Sequence, residues 1–333
     1  MNEAIAATAP ATSPAAKTRP GHVLIGWVLH NVVWIWLVAL VVLFGSFNEF
    51  FLTVFNLQNI MVQATVLGML GLAVALPLLV AEIDLSIPAN LGFSSAIGAL
   101  AYSDLGLPWF VAMLIGVGVA TAIGFFNGLC ITRLRMVSLI ETLAMMIILQ
   151  GALLALTQGK TLTNLSDGYI WIGQATIGGW PVMPLVFVVA LIAMGIMLTR
   201  TVLGRSIYAV GGNAVASSAA GIRVARTKVI AYTLSGFLAG VAGFLLASWQ
   251  MAITSNQGSS YLLYAIAAPI IGGVSVFGGR GNVTGILGGV LLLTVIQVGL
   301  AIISVPSFYV GIIGGFMIFV AVAIDAVRVR YFS

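Results

Sequence analysis

Charged residues are scarce in this chain of 333 residues: they make up 6% of it, while 61% of the residues are hydrophobic. Soluble domains carry about 25% charged residues. A chain with so few charges and a mean hydropathy of +1.17 must therefore be solvated mainly by lipid. Its apolar runs are continuous rather than alternating, which predicts membrane-spanning helices. At about 20 residues per span, the length allows roughly eight to eleven crossings.

Cysteine and histidine are nearly absent. Cys130 is the single cysteine and falls within an apolar run, and the two histidines, His22 and His30, lie near the N-terminus. Disulfides and metal centres need several such residues, so neither is expected. The HExxH and GxSxG patterns of metalloproteases and hydrolases are also missing. We therefore predict no catalytic residue and no metal ligand. Basic residues that are confined to loops predict no nucleic-acid surface.

Nucleotide-binding motifs are incomplete. Gly159-Lys160-Thr161 resembles the end of a phosphate-binding loop, but the glycine that such a loop needs five residues before Gly159 is Leu154 here. The glycine-rich stretch 278–281 lies between two apolar runs, without the strand and helix of a dinucleotide fold. If ATP drives this protein, a separate subunit must bind it together with Mg²⁺, and no cofactor is expected in this chain.

Apolar runs bounded by charges, proline and glycine predict an all-α, polytopic membrane protein with about ten spans. An Ala/Pro/Thr-rich tail at 1–22, expected to be disordered, precedes the membrane domain at 23–326, and a short tail at 327–333 follows it. The predicted spans are 23–45, 60–80, 87–103, 108–131, 138–157, 182–199, 229–250, 261–277, 283–303 and 308–326.

Basic residues predict the orientation, because short cytoplasmic loops are enriched in lysine and arginine. With ten spans and the N-terminus in the cytoplasm, twelve of the thirteen basic residues lie on the cytoplasmic side and Lys160 lies outside. A shift by one span in the first half would scatter the charges over both faces. Both termini are therefore predicted to be cytoplasmic. The segment 200–228, which holds five of the basic residues, is predicted to lie on the same side.

The segment 200–228 interrupts the apolar sequence and carries its own signals of local structure. Asn213 is a good N-cap after the pair Gly211-Gly212, which we expect to be a flexible turn. Residues 214–220 are strong helix formers, and Gly221 is placed to stop a helix in the left-handed conformation. A short helix flanked by basic residues could dock a cytosolic partner or could be a solvated amphipathic loop. The residues alone leave both interpretations open.

Polar residues are few within the apolar runs, because a charge in lipid costs about 2.5–3.5 kcal/mol. Asp84 or Ser86 could cap the following helix, or could mark a discontinuous helix beside a transport path. Glu141 could complement a helix dipole at a first turn, or could face the pathway. Amides within spans are more typical of bridges between helices. The candidate pathway residues are Asp84, Ser86, Asn127, Glu141, Thr142 and Gln297.

The sparse amides and hydroxyls suit a neutral sugar or polyol. The alternative function is a proton- or sodium-coupled secondary transporter. Such carriers usually hold carboxylates or histidines deep in several spans, and these are scarce here. A channel or scaffold without energy coupling is a third class, which a docking segment at 200–228 would disfavour.

Four ordered stretches resemble one known family. They are EIDLS at 82–86, the apolar stretch 139–160, LGRSIYAVGGN followed by AGIRV within 203–224, and YAIAAPIIGGVSVFGGRGNVTGILGG at 264–289. Together they are similar to the permease subunits of bacterial ABC importers for ribose, xylose, galactose and autoinducer. The resemblance covers nearly the whole chain. Leu262-Leu263-Tyr264 stands where the family has an acidic ELD, which fits a diverged member or one half of a heterodimer.

The resemblance implies the fold and the partners of those importers. The protein would lie in the bacterial inner membrane and pair with a second permease, identical or different. Two cytosolic ATPase domains and a periplasmic binding protein for a sugar-like solute would complete the importer. The segment 200–228 matches the part that docks on the ATPase. The residues assigned to this contact are Gly204, Arg205, Gly211, Gly212, Asn213, Gly221 and Arg223.

Overall fold

The computed structural model describes residues 20–163, 165–306, 309, 311–316 and 319–320, with the backbone alone for 20–30. Most of the predicted tail at 1–22, and all of the tail at 327–333, lies outside these residues. The described chain is mostly helical, as predicted. It also contains a small antiparallel hairpin that the sequence did not predict, formed by β1 (Thr176–Ile177) and β2 (Trp180–Pro181).

The helices follow one another with short connections, and a 3-10 turn at Ser259–Tyr261 precedes the eleventh helix. In chain order they are α1 Pro20–Phe47, α2 Val54–Leu79, α3 Ile87–Ser103, α4 Trp109–Arg133, α5 Ser138–Thr157, α6 Asp167–Gln174, α7 Met183–Arg200, α8 Val202–Gly212, α9 Ala214–Ala219, α10 Val224–Gln250, α11 Leu262–Ile271 and α12 Val283–Ile302.

Six of the described helices are long and apolar enough to cross a membrane, namely α2, α4, α5, α7, α10 and α12. Helices also lie at the predicted spans 23–45 and 87–103. The predicted end of the span 261–277 is wrong, because α11 ends at Ile271. The predicted span 308–326 lies largely outside the described residues, so the count of ten stays a prediction.

Helix α2 is the centre of the bundle. Every residue from Ala64 to Leu79 is buried, and the helix packs against α7, α10, α11 and α12. A helix that is apolar on all sides fits this position. Pro77 lies in its last turn, and the chain then turns at Ala81, which has a positive φ of 60°. Helix α3 begins only at Ile87, so a non-helical segment joins the two helices.

Glycines bring α4 and α10 into close contact. A Cβ atom at Gly124 would lie 2.3 Å from the carbonyl oxygen of Tyr232, and one at Gly236 would lie 2.4 Å from that of Ala120. The repeat of small residues at Gly116, Ala120, Gly124 and Gly128 predicts such packing, because small residues let helix backbones approach one another in lipid. The structure confirms the prediction. The packing fixes the positions of α4 and α10, which both reach the polar residues described below.

Candidate functional site

The segment 200–228 contains two helices, α8 and α9, where the sequence predicted one. Helix α8 begins after Thr201, whose Oγ1 accepts a hydrogen bond from the amide of Gly204 at 3.1 Å. It continues to Gly212, so the prediction of a flexible turn at Gly211-Gly212 is wrong. The backbone leaves the helical conformation only at Asn213, with φ −161° and ψ 102°. The two glycines are therefore held in a helix that packs against the rest of the bundle.

Helix α9 has the start and the end that the sequence predicted. The Oδ1 atom of Asn213 accepts a hydrogen bond from the amide of Ala216 at 2.9 Å, which caps the helix. Gly221 has a φ of +83°. Its amide bonds to the carbonyl of Ser218, and the amide of Ile222 bonds to that of Ser217. This pair of bonds is the Schellman motif, which needs a left-handed residue at its bend.

Helix α9 presents a small apolar surface with basic residues beside it. Val215 is 81% exposed. Arg205 on α8 and Arg223 after α9 are exposed as well. We name this region the α9 surface; its exposed members are Arg205, Gly212, Asn213, Val215, Ala216, Ser218, Ala219, Ala220, Gly221 and Arg223. Gly204 and Gly211, which were also assigned to the contact, are buried and do not form part of it.

Helix α8 packs directly against the end of α2. A Cβ atom at Gly211 would lie 1.8 Å from the carbonyl oxygen of Leu79. The same carbonyl accepts a hydrogen bond from the amide of Gly279 at 3.0 Å. The stretch 278–281 therefore has a structural role, because Gly278 and Gly279 adopt φ angles of 84° and 69° that allow the chain to fit between α8 and α2.

The hydroxyl of Tyr208 adds a second bond between α8 and this glycine-rich stretch. It donates to the carbonyl oxygen of Gly281 at 2.8 Å. Burial raises the pKa of Tyr208, so the hydroxyl stays protonated and keeps its role as donor. The α9 surface, α8, the stretch 278–281 and the end of α2 thus form one continuous set of contacts.

The non-helical segment 80–86 between α2 and α3 carries the first polar candidates. Glu82 forms an ion pair with Lys228 on α10. Asp84 is 3% exposed, and its Oδ1 atom accepts a hydrogen bond from the amide of Ser86 at 2.9 Å and lies 2.6 Å from the hydroxyl oxygen of Ser86. Ser86 occupies the N-cap position of α3, but its side chain makes no capping bond. The structure therefore shows a break between two helices rather than a simple cap.

Two side chains on α5 accept hydrogen bonds from the backbone amides of the segment 80–86. The hydroxyl of Thr142 accepts a hydrogen bond from the amide of Leu85 at 3.2 Å and donates to the carbonyl of Ser138, one turn earlier, at 2.8 Å. The hydroxyl of Ser138 accepts from the amide of Ile83 at 3.4 Å. Buried backbone amides need such partners, so these two side chains hold the segment in its non-helical course.

Asn127 on α4 and Glu141 on α5 complete the group. The amide of Asn127 lies 2.9 Å from the hydroxyl oxygen of Ser86 on one side, and 3.2 Å from Oε1 of Glu141 on the other. Both side chains are buried. Five of the six candidate pathway residues thus meet in one buried polar cluster, which consists of Asp84, Ser86, Asn127, Glu141 and Thr142. Gln297 lies elsewhere, on α12, which packs against α1, α2 and α11.

Comparison with known proteins places this architecture in a family. Residues 56–322 match the family described as branched-chain amino acid transport system / permease component. The chain belongs to this permease family. The ribose import permease protein RbsC of Bacillus subtilis is 35% identical to the permease over 291 residues, which are 87% of this chain and 90% of that protein. No solved structure matches the permease significantly.

Two further relatives align with the permease over almost the whole length of both chains. The D-allose transport system permease protein AlsC of Escherichia coli is 34% identical over 319 residues, 94% of this chain and 96% of that protein. The L-arabinose ABC transporter permease protein AraH of Azospirillum brasilense is 32% identical over 337 residues, 98% and 97% of the two chains. The resemblance to sugar importer permeases that the four sequence stretches indicated is therefore confirmed.

Three residues of the permease that contact the segment 80–86 or the polar cluster were missed by sequence reasoning. Ser138 could have been found, because it lies four residues before Thr142 and so shares its helix face. Lys228 and Tyr232 lie on α10, far from the cluster in sequence, and only the fold brings them to it. No local pattern in the sequence could have assigned them.

Proposed function

We propose that the permease is the transmembrane subunit of an ATP-driven importer that moves a sugar or polyol-like solute across the bacterial inner membrane. The proposal is supported by the names of its relatives, which describe import of ribose, D-allose and L-arabinose. The family description mentions branched-chain amino acids, but the sugar permeases match over nearly the full chain.

The proposed topology has ten spans, with both termini and the segment 200–228 in the cytoplasm. The distribution of lysine and arginine supports this orientation. It brings the α9 surface to the side of the membrane where ATP is available. The incomplete nucleotide motifs of the chain fit a separate ATPase subunit that binds ATP and Mg²⁺, and a permease that supplies no catalytic residue.

The α9 surface is the proposed docking site for the ATPase. An exposed apolar residue in the first turn of a short, capped helix, with arginines on either side, can insert into a complementary groove. Five of the assigned residues are exposed there, namely Arg205, Gly212, Asn213, Gly221 and Arg223. The buried Gly204 and Gly211 act indirectly, because they allow α8 to pack closely.

The single observation that carries the mechanism is the contact between Gly211 and Leu79. Leu79 is the last residue of α2, and the non-helical segment with Asp84 and Ser86 follows directly. A displacement of α9 by the ATPase would move α8, and α8 has no free space against the end of α2. We infer that closure of the ATPase pair shifts the segment 80–86 in this way and opens the bundle to the opposite side.

The remaining partners follow from the same proposal. A periplasmic binding protein would deliver the solute, and a second permease, identical or different, would complete the pathway. The polar cluster is enclosed within one subunit, so its proposed role is to hold the movable segment beside the path. Gln297 on α12 is a separate candidate for the pathway.

Binding to the ATPase tests the docking proposal directly. The purified permease in lipid nanodiscs would be titrated with the ABC ATPase subunit of its proposed importer, and the affinity measured by light scattering or surface plasmon resonance. A saturable complex that is lost when Val215 is replaced by Asp supports the proposal. A permease that binds the ATPase equally well with Asp at position 215 would refute the α9 surface as the docking site.

A further inference from the structure

Three close contacts connect the two buried carboxylates of the permease. Oδ1 of Asp84 lies 2.6 Å from Oγ of Ser86. That Oγ lies 2.9 Å from the amide group of Asn127, and the other end of the same amide lies 3.2 Å from Oε1 of Glu141. We call these four residues the proton relay. Each of the three contacts joins two electronegative atoms and therefore needs one hydrogen between them.

The relay lacks one hydrogen if both carboxylates are ionised. The hydroxyl of Ser86 supplies one hydrogen, and an ionised carboxylate only accepts. The nitrogen of the Asn127 amide faces either Ser86 or Glu141, so it supplies a hydrogen to one of its two contacts and its oxygen faces the other. Two hydrogens cannot serve three contacts. One carboxyl group must therefore carry a proton.

The carbonyl oxygen of Ile123 decides which carboxyl group carries it. This oxygen lies 3.2 Å from the same atom of the Asn127 amide that faces Glu141. A carbonyl only accepts hydrogen bonds, so the amide nitrogen points toward Ile123 and Glu141. The amide oxygen then accepts from the hydroxyl of Ser86. The hydroxyl has no second hydrogen for Asp84, so Asp84 is the group that donates across the 2.6 Å contact.

A buried oxygen without a partner supports the same conclusion from a different direction. Oε2 of Glu141 makes no hydrogen bond to any residue that the structure describes, and its side chain is more than nine-tenths buried. Tyr232 lies within the electrostatic reach of both Asp84 and Glu141. Two unneutralised charges in such surroundings would be strongly unfavourable, and one shared proton removes half of that charge.

Among the residues that the structure describes, the charged and titratable groups around the relay supply no unpaired positive charge to it. On the same segment Glu82 is paired with Lys228 of α10, so the two charges offset one another. Helix α4 contributes Cys130 near Glu141, and α10 contributes Tyr232. Helix α3 has no acidic or basic residue. The proton thus remains the simplest positive charge that the site can take.

We propose that the relay is a binding site for one exchangeable proton, held on Asp84 and linked through Ser86 and Asn127 to an ionised Glu141. When the proton leaves for bulk water, no hydrogen lies between Asp84 and Ser86, and the two oxygen atoms repel each other. The contacts that hold the segment 80–86 in place are then weaker. The site would make the position of this segment dependent on pH. It does not rest on the proposed import function, because it concerns the permease alone.

Chemical labelling of the purified permease in nanodiscs tests the site. Dicyclohexylcarbodiimide reacts with protonated carboxyl groups in apolar surroundings, and peptide mass spectrometry identifies the labelled residue. We expect Asp84 to be labelled at neutral pH and the labelling to be lost as the pH rises. In Glu141→Gln the new amide can supply the missing hydrogen, so labelling of Asp84 should shift to lower pH. The exposed Glu49→Gln is the matched control and should leave the profile unchanged.

Infrared spectroscopy gives a second readout, and its decisive measurement is made on the wild type. The wild-type permease at neutral pH should show a protonated-carboxyl stretching band that shifts in D₂O, and the double variant Asp84→Asn/Glu141→Gln should lack it. Absence of both the band and the label in the wild type would overturn the proposal. So would suppression of the label by Na⁺ at constant pH, because the pair would then hold a metal cation. An identical label profile in Glu141→Gln would overturn it as well.

Discussion

Gly211 at the end of α8 faces the carbonyl oxygen of Leu79 at the end of α2, and a Cβ atom there would approach this oxygen to 1.8 Å. The neighbouring Gly212 has nothing within 4 Å of the same position. A side chain therefore fits at Gly212 but not at the adjacent Gly211. The contact at Gly211 leaves no room for movement between the two helices, and this makes α8 suitable for passing a displacement to the segment 80–86.

Replacing Gly211 by Ala should separate α8 from α2 and impair the permease. Such an overpacked contact destabilises a structure by about 1–3 kcal/mol, so the melting temperature should fall and uptake should drop sharply. Gly118→Ala on α4 is the matched control and should leave both unchanged, because nothing lies within 4 Å of a Cβ atom at Gly118. Thermal denaturation in nanodiscs and an uptake assay check the pair. Equal effects of the two substitutions would contradict the role of the Gly211 contact.

Gly221 should tolerate Asn but not Leu. Its φ of +83° is unfavourable for a side-chain-bearing residue by about 1–2 kcal/mol, whereas Asn adopts this conformation more readily. We expect Gly221→Leu to insert into the membrane normally but to lose uptake, because α9 no longer ends in its bend. Gly221→Asn should retain most of the activity. Normal uptake in Gly221→Leu, measured at equal expression, would exclude a functional role for the end of α9.

Val215 should matter for the partner and not for the fold. Since its side chain is 81% exposed, Val215→Asp should change the free energy of unfolding by no more than about 0.5 kcal/mol. Binding of the ATPase should weaken at least tenfold, and Val215→Ile should bind normally. Titration of both variants with the ATPase provides the comparison. Loss of stability in Val215→Asp would show that the residue supports the fold instead.

The ion pair between Glu82 and Lys228 should couple α10 to the segment 80–86. Both side chains are partly exposed, at 14% and 20%, so the pair is screened to some degree. Glu82→Gln and Lys228→Met should each destabilise the permease, and the double variant should be more stable than the sum of the two effects predicts. A coupling energy on the order of 1 kcal/mol is expected for residues in contact. Strict additivity in thermal denaturation would show that the two residues act independently.

Local signals made part of the site predictable from the sequence. The cap at Asn213 and the stop at Gly221 depend on neighbouring residues alone, and both were predicted correctly. The Gly211-Gly212 pair was predicted as a flexible turn, because glycine weakens helices on average. Its helical conformation is stabilised by packing against Leu79 and Gly279, which lie more than sixty residues away in the sequence and carry no local signal.

The polar cluster shows the same division between local and non-local information. The sequence identified its members as polar residues in apolar surroundings, since charges and amides there are rare enough to be noticed. It could not show that Asp84, Asn127 and Glu141 meet, because they lie on three different elements. The end of α11 at Ile271 was also missed, since the apolar sequence continues beyond it while the chain bends between the glycines that follow.

Uptake by the reconstituted importer is the most direct test of the proposed function. The permease would be placed in liposomes with its ATPase and binding protein, and entry of radiolabelled ribose, D-allose and L-arabinose would be followed with ATP and with a non-hydrolysable analogue. The account predicts uptake of a sugar that requires hydrolysable ATP and is abolished by Gly211→Ala but not by Gly118→Ala. Uptake that persists without ATP and is driven by a proton or sodium gradient would contradict it.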